Sequence, residues 1–252
     1  MDSKVRDRFI DLWQKYFNDA ALPVGFYYTD EADAGQTSPA QCVIAAINTA
    51  RKGNTLVLSE ETLKCFGAKA YFGYSEDHYP SPEGSDEYTF TEHFLSNGIP
   101  GVVEGERIKK DPETCRKLYQ KLPEFKAPAK YVVFKRWDKF DEDDNPDVII
   151  FYATADVLCG LYNLINYDAT DYIEMIAPWG SGCSSIVTDA YLQKDEERPK
   201  AVLGMLDVEA RAYVGKDELT FALPTKRLLE LVEYMDDSFL ITKPWERIKK
   251  RI

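Results

Sequence analysis

Apolar residues recur along the chain with two different periods. Between positions 4 and 18, Val5, Phe9, Leu12, Trp13, Tyr16 and Phe17 fall at three- and four-residue spacing, which predicts an amphipathic first helix. Val24–Thr29, opened by Pro23, is rich in β-branched and aromatic residues and reads as a strand. A turn-like stretch from Asp30 to Pro39 leads to a helix over Ala40–Arg51, ended by Gly53. Thr55–Leu58 reads as a short strand, and Ser59 with Glu60 and Glu61 as the start of a helix that carries Cys65 toward Tyr71.

The prolines and glycines of 75–101 predict loop, with one helix near Phe90–Leu95. Asp111 and Pro112 form an N-cap and N1 pair for a helix to about Leu122, and Tyr131–Phe134 reads as a strand. After an acidic stretch at 138–147 the pattern restarts. Val148–Tyr152 is a strand, Asp156–Tyr167 a helix and Tyr172–Ile176 a strand. Trp179–Gly180–Ser181–Gly182 leads into a helix carrying Cys183, followed by strands at Ala201–Leu206 and Leu219–Leu223. A long helix capped by Thr225 comes last.

The two halves echo each other. Each runs proline, strand, helix with a cysteine, strand, helix with a second cysteine; Cys42 and Cys65 are 23 residues apart, Cys159 and Cys183 are 24 apart. The expected architecture is therefore α/β: one compact unit over 1–252, a mixed sheet flanked by helices, with a possible duplicated β-α-β-α element in half-units 19–137 and 145–236. The acidic connector 138–147 joins them and 237–252 is a C-terminal extension. The connector is not a calcium loop. Pro146 stands where a loop beginning at Asp141 needs glycine, and Tyr152 where it needs glutamate, so the segment reads as a solvated linker.

Composition narrows the function classes. Of 252 residues, 31 are basic and 43 acidic, a net charge of −12 that repels phosphate backbones; no nucleic-acid partner is expected. The longest apolar run, Val148–Tyr152, is far short of a membrane span, and the start carries no apolar leader core, so a cytoplasmic protein without a membrane partner is expected. Five widely spaced cysteines suggest reduced thiols, and two histidines, His78 and His93, leave little room for histidine chemistry.

Several stretches in order along the chain resemble the DUF169 (ArCR) family: SPAQCVIAAINTARKG at 38–53, SEETLKCFGAKAYFGY at 59–74, NPDVIIFY at 145–152, APWGSGCSS at 177–185, VLGMLDVEAR at 202–211 and DELTFALP at 217–224. The resemblance implies no reaction. It implies a cysteine where Asp207 stands and Cys-Pro-Gly where Cys65–Phe66–Gly67 stands, so a four-cysteine cluster is not retained whole.

Three functions compete on these residues. The first is a metal or small anionic ligand held in a thiol-lined cleft between the half-units. Cys65, Cys183 and Cys42 would be zinc or iron–sulfur ligands, with Asp207 as a fourth. Gly180, Gly182 and Ser184 would line an anion-accepting helix start, and Arg211 would clamp the anionic group. The second is a thiol enzyme with Cys183 as nucleophile, activated by the helix dipole, and Asp207 or Glu209 as base. The third is a non-catalytic scaffold in which the glycines turn the chain and the cysteines are buried core. Cys115 and Cys159 read as structural. Tyr27, Tyr28, Trp179 and Tyr213 are aromatics that pack or stack on a planar ligand. Oligomeric state is not readable from the chain.

Overall fold

The computed structural model describes residues 1–32, 41–75 and 87–252. His78, the prolines at 80 and 82 and most of the 30–39 turn lie outside them. In chain order the elements are α1 (Ser3–Phe17), β1 (Val24–Thr29), α2 (Val43–Arg51), β2 (Leu56–Ser59), α3 (Phe66–Tyr71) and α4 (Phe90–Phe94). A small hairpin of β3 (Gly98–Ile99) and β4 (Val103–Glu104) precedes α5 (Pro112–Tyr119) and β5 (Tyr131–Arg136). Then come β6 (Val148–Ala153), α6 (Ala155–Ile165), β7 (Met175–Ile176), α7 (Asp189–Leu192), β8 (Ala201–Gly204), β9 (Leu219–Pro224), α8 (Thr225–Tyr234) and α9 (Lys243–Lys249).

Seven strands form one mixed sheet in the order β2-β5-β1-β6-β9-β8-β7, antiparallel throughout except β7 beside β8. Every residue of β6 is buried, as a central strand covered on both faces requires. Its side chains alternate between two cores. Val148, Ile150 and Tyr152 enter one with α2, α3 and the Cys183 helix. Ile149, Phe151 and Ala153 enter the other with α1, α6, α8 and α9. In the second core Trp13 stacks on Phe17 with ring centroids 4.2 Å apart, and Trp245 of α9 meets Phe17 edge-on at 5.2 Å.

The expected mixed α/β unit is thus present, with four differences. The cysteine echo does not become a structural repeat: α2 lies on one face of the sheet and α6 on the other. An axis exchanging the antiparallel neighbours β1 and β6 must run normal to the sheet, and it would leave both helices on one face. The 138–147 stretch is not a solvated linker. Phe140 is fully buried, and Asp144, only 6 % exposed, accepts from Tyr27 Oη, from Lys135 Nζ at 2.6 Å and from the Asp141 N–H at 2.7 Å. Its carbonyls at 141, 142 and 144 accept from the Met1 ammonium. Buried lysine and tyrosine partners outweigh the hydration of an acidic loop. The extension past residue 237 carries α9, whose Trp245 is buried and donates to the Tyr16 carbonyl at 2.9 Å. Finally, the chain from Ser59 makes a turn before α3 begins, with Cys65 as N-cap; Ser59 spends its hydroxyl on Glu61 at 2.5 Å.

Candidate functional site

Three helix starts pack against the core on one face of the sheet. Cys42 is the N-cap of α2 and Cys65 the N-cap of α3. Cys183 precedes a π-helical stretch, Ser184–Thr188, that runs on into α7. All three thiols pack with one core. They are close enough that a charge on Cys65, Cys42 or Asp207 would raise the pKa of Cys183, and one on Cys65 or Asp207 that of Cys42. Cys65 and Cys183 thus lie near one another without the twofold that motivated the expectation of a shared cleft. Cys115 is fully buried on α5, and Cys159 is exposed on α6, on the opposite face of the sheet. No disulfide forms among the described residues.

Asp207 reaches the site because β8 stops early. The strand runs only to Gly204, since Met205 adopts φ +62° and breaks the extended run expected through Leu206. Asp207 Oδ2 then accepts the Gly182 N–H at 2.9 Å, and Oδ1 accepts the Glu209 N–H at 3.0 Å. A carboxylate of the chain itself thus takes the backbone donor at the Cys183 helix start. The two glycines there are packing residues. A Cβ on Gly180 would collide with Ser184 Oγ, and one on Gly182 would lie 2.6 Å from Ala210 Cβ and 3.0 Å from Met205 Cε. Ser184 donates its hydroxyl to the Ser181 carbonyl at 2.9 Å, inside its own turn. Arg211 pairs with neither Asp207 nor Glu209. Its guanidinium donates to the carbonyls of Glu218 at 2.5 Å and Lys216 at 2.8 Å, holding the turn before β9. Of the expected anion cradle of Gly180, Gly182, Ser184 and Arg211, the Gly182 N–H, the Ser184 hydroxyl and the Arg211 Nη1 and Nη2 groups thus already have partners within the chain.

Burial also reverses the expected activation of Cys183. Desolvation pushes its thiol up to about 12, more than the Ser181 hydroxyl at 3.4 Å offsets. Cys42 is likewise raised by burial, against the pull of the Ile44 and Ala45 N–H groups. A nucleophile needs the thiolate, so a catalytic Cys183 is not supported. The metal reading meets a similar obstacle. Among the described residues no three His, Cys, Asp or Glu side chains stand so as to hold a metal ion. The roles of Cys42, Cys65 and Cys183 as zinc or iron–sulfur ligands do not fit this arrangement, and no step through a metal is derived.

The site has members that sequence reasoning missed. Glu106, half-buried beside Glu209 and Asp207, is raised to about 7 by desolvation and by those two charges. Lys109 places its ammonium 3.4 Å from the centroid of the Trp179 ring. Tyr71 sits within reach of Ser181 and Cys183 and is pushed up to about 12 by burial, and Tyr119 lies 3.4 Å from it. Four large apolar side chains adjoining site residues in sequence are exposed: Phe66, Trp179, and Leu206 and Val208 at 61 % and 69 %. The VLGMLDVEAR stretch did carry a signal for the last two, because a strand reading puts Leu206 and Val208 on one face with Asp207 between them. Of the other aromatics, Tyr28 packs among Phe26, Tyr74, Phe125 and Tyr191, and Tyr213 gives its carbonyl to Asn48 at 2.9 Å.

No helix among the described residues is long and apolar enough to cross a membrane. Neither a curated protein nor a solved structure matches the chain. A family model described as uncharacterised ArCR, DUF169, matches residues 15–234, a span that includes every residue of the site just described. The chain belongs to the DUF169 family.

Proposed function

We propose that the meeting point of the three helix starts binds a small amphipathic molecule with a cationic or hydrogen-bond-donating head and an apolar body. The observation that carries this reading is the pairing of a carboxyl group cluster, Glu106, Asp207 and Glu209, with exposed Phe66, Trp179, Leu206 and Val208, which adjoin Cys65, Gly180 and Asp207 in sequence. Exposed apolar side chains that border convergent polar groups mark ligand sites more often than chance surface. Three carboxyl groups repel an anion and attract a cation. The buried Cys183 thiol, held protonated by desolvation, adds polarizable wall.

Calorimetric titration with phenethylamine and with 3-phenylpropionate tests the reading. The two probes share a body and differ in the sign of the head group. Saturable binding of the amine at pH 8, at least about tenfold tighter than the acid, is expected; one Coulombic contact near a protein surface supplies that much discrimination. Equal affinities, or tighter binding of the acid, would contradict it.

A further inference from the structure

A second recess lies at the opposite end of α2. An open groove of about 980 Å³ runs between the end of α1 with its 18–22 loop and the end of α2. Its charged lining is Asp19, Arg51, Lys52 and Arg136, three cations to one acid in a chain whose net charge is −12, and Gln14, Asn18 and Asn48 are its neutral polar residues.

Both guanidinium groups are fixed in place. Arg51 lies 3.9 Å over the Tyr152 ring and donates to Glu218 at 2.7 Å. Arg136 forks onto Asp138 at 2.5 and 2.9 Å. Gly53, at φ +93°, lets the chain pass beside Arg136; a Cβ there would come within 3.2 Å of Nη2. These pairs offset part of the charge but leave Arg51 with donors to spare. The side chains of Gln14 and Lys52 have no hydrogen-bond or ion-pair partner among the described residues, and both exposed residues line the groove. At its lip Asn18 holds φ +50°, ψ −122°, a conformation that non-glycine residues rarely keep and that clusters at ligand sites. The carbonyl end of α2 favours basic residues for its own sake, and that accounts for Arg51 and Lys52 individually. Arg136 of β5 joins them there, its Nη1 donating to the Arg51 carbonyl at 3.4 Å, while the positive φ of Asn18 opposite, whose Nδ2 donates to the Lys249 carbonyl at 2.6 Å, is not explained by the end of α2.

We infer that this groove binds a small molecule through an anionic group, a phosphate or a carboxylate, held by Lys52 and Arg51 with Gln14 as a neutral donor. The site is separate from the thiol-lined one and takes ligands of opposite charge.

The test is a titration of the whole protein with inorganic phosphate and, separately, with succinate at constant ionic strength, read on the Trp13 indole N–H resonance. Trp13 lines the groove, and its indole N–H donates to the carbonyl of Ala20, another lining residue, at 2.9 Å. A saturable shift with either probe is expected; phosphate alone or succinate alone identifies which head group the site takes. Lys52→Ala and Gln14→Ala, both exposed and without partners, are expected to weaken it at least about fivefold and about twofold. Lys130→Ala, an exposed control just before β5 and at the opposite end of that strand from Arg136, is expected to leave it unchanged. No saturable shift with either probe, or equal weakening by Lys52→Ala and Lys130→Ala, would overturn the inference.

Discussion

At the scale of single residues, the site is governed by what burial does to charge. Asp207 shows this most plainly, because its carboxylate takes the backbone donor that an external anion would need. Asp207→Ala is expected to lower unfolding free energy by about 1–2 kcal/mol in urea, with Asp207→Asn recovering most of it, since an amide oxygen still accepts the Gly182 N–H. Cys183 is expected to alkylate far more slowly than Cys159 at pH 8, followed by peptide mass spectrometry. A thiol at about 12 leaves only about one part in ten thousand as thiolate there. Glu106 has a folded value raised above its unfolded one. Its ionisation therefore opposes folding, with the cost growing from the ordinary carboxyl range up to about 7 and full above it. Glu106→Gln is accordingly expected to raise Tm at pH 8 and to leave it unchanged near pH 4. The cysteines and Asp207 were legible as candidates in the sequence. Glu106 was not, because nothing in VVEGERI says that its carboxyl is half-buried beside two others; that depends on the chain returning 100 residues later.

At the scale of elements, the readable parts were those whose signals are local. Asp111 and Pro112 predicted the start of α5, and Asp111 Oδ1 indeed accepts the Thr114 N–H at 2.8 Å. The β7 strand expected over Tyr172–Ile176 shrinks to Met175–Ile176, because Tyr172 and Ile173 are exposed and only the last two residues reach β8. Helix α9 escaped notice since its apolar face is narrow; Trp245 and Ile248 carry it among four charged residues. It is nonetheless integral. A Cβ on Gly160 of α6 would lie 2.5 Å from Trp245 and 2.6 Å from Phe17, so the α6–α9–α1 contact depends on that glycine. Gly160→Ala is expected to destabilise by about 1–3 kcal/mol through overpacking, despite its gain in helix propensity, as measured by chemical denaturation. Arg227, 1 % exposed on α8, ties this layer together by a fork onto Asp168, which also accepts Arg198 at 2.8 Å. These arginines hold the Asp168 carboxyl well below the usual carboxylate range. The folded value is depressed, so the stabilisation is present above the unfolded value of about 3.9 and fades as pH falls below it. Asp168→Ala is expected to cost about 3 kcal/mol at pH 7 and progressively less toward pH 2.

At the scale of the whole molecule, one sheet with two filled faces explains why the half-unit reading failed where the fold-class reading succeeded. Alternating strands and helices specify an α/β unit. Which face each helix covers is set by crossover geometry, and cysteine spacing is blind to it. Because β6 feeds both cores and pairs with β1 and β9, the first and second halves share their central strand. A single cooperative thermal transition is therefore expected by calorimetry, with the isolated 145–236 segment failing to fold. The same arrangement brings helix starts from the first half against the Cys183 turn and Asp207 of the second. That convergence is the foundation of the ligand-binding reading. Selective ¹³C labelling of cysteine, with a phenethylamine titration followed at each Cβ, reports on it most directly. Cys42, Cys65 and Cys183 are expected to shift together along one saturating curve while Cys159 stays silent. Three thiols that fail to respond, or that respond no more than Cys159, would contradict a shared site.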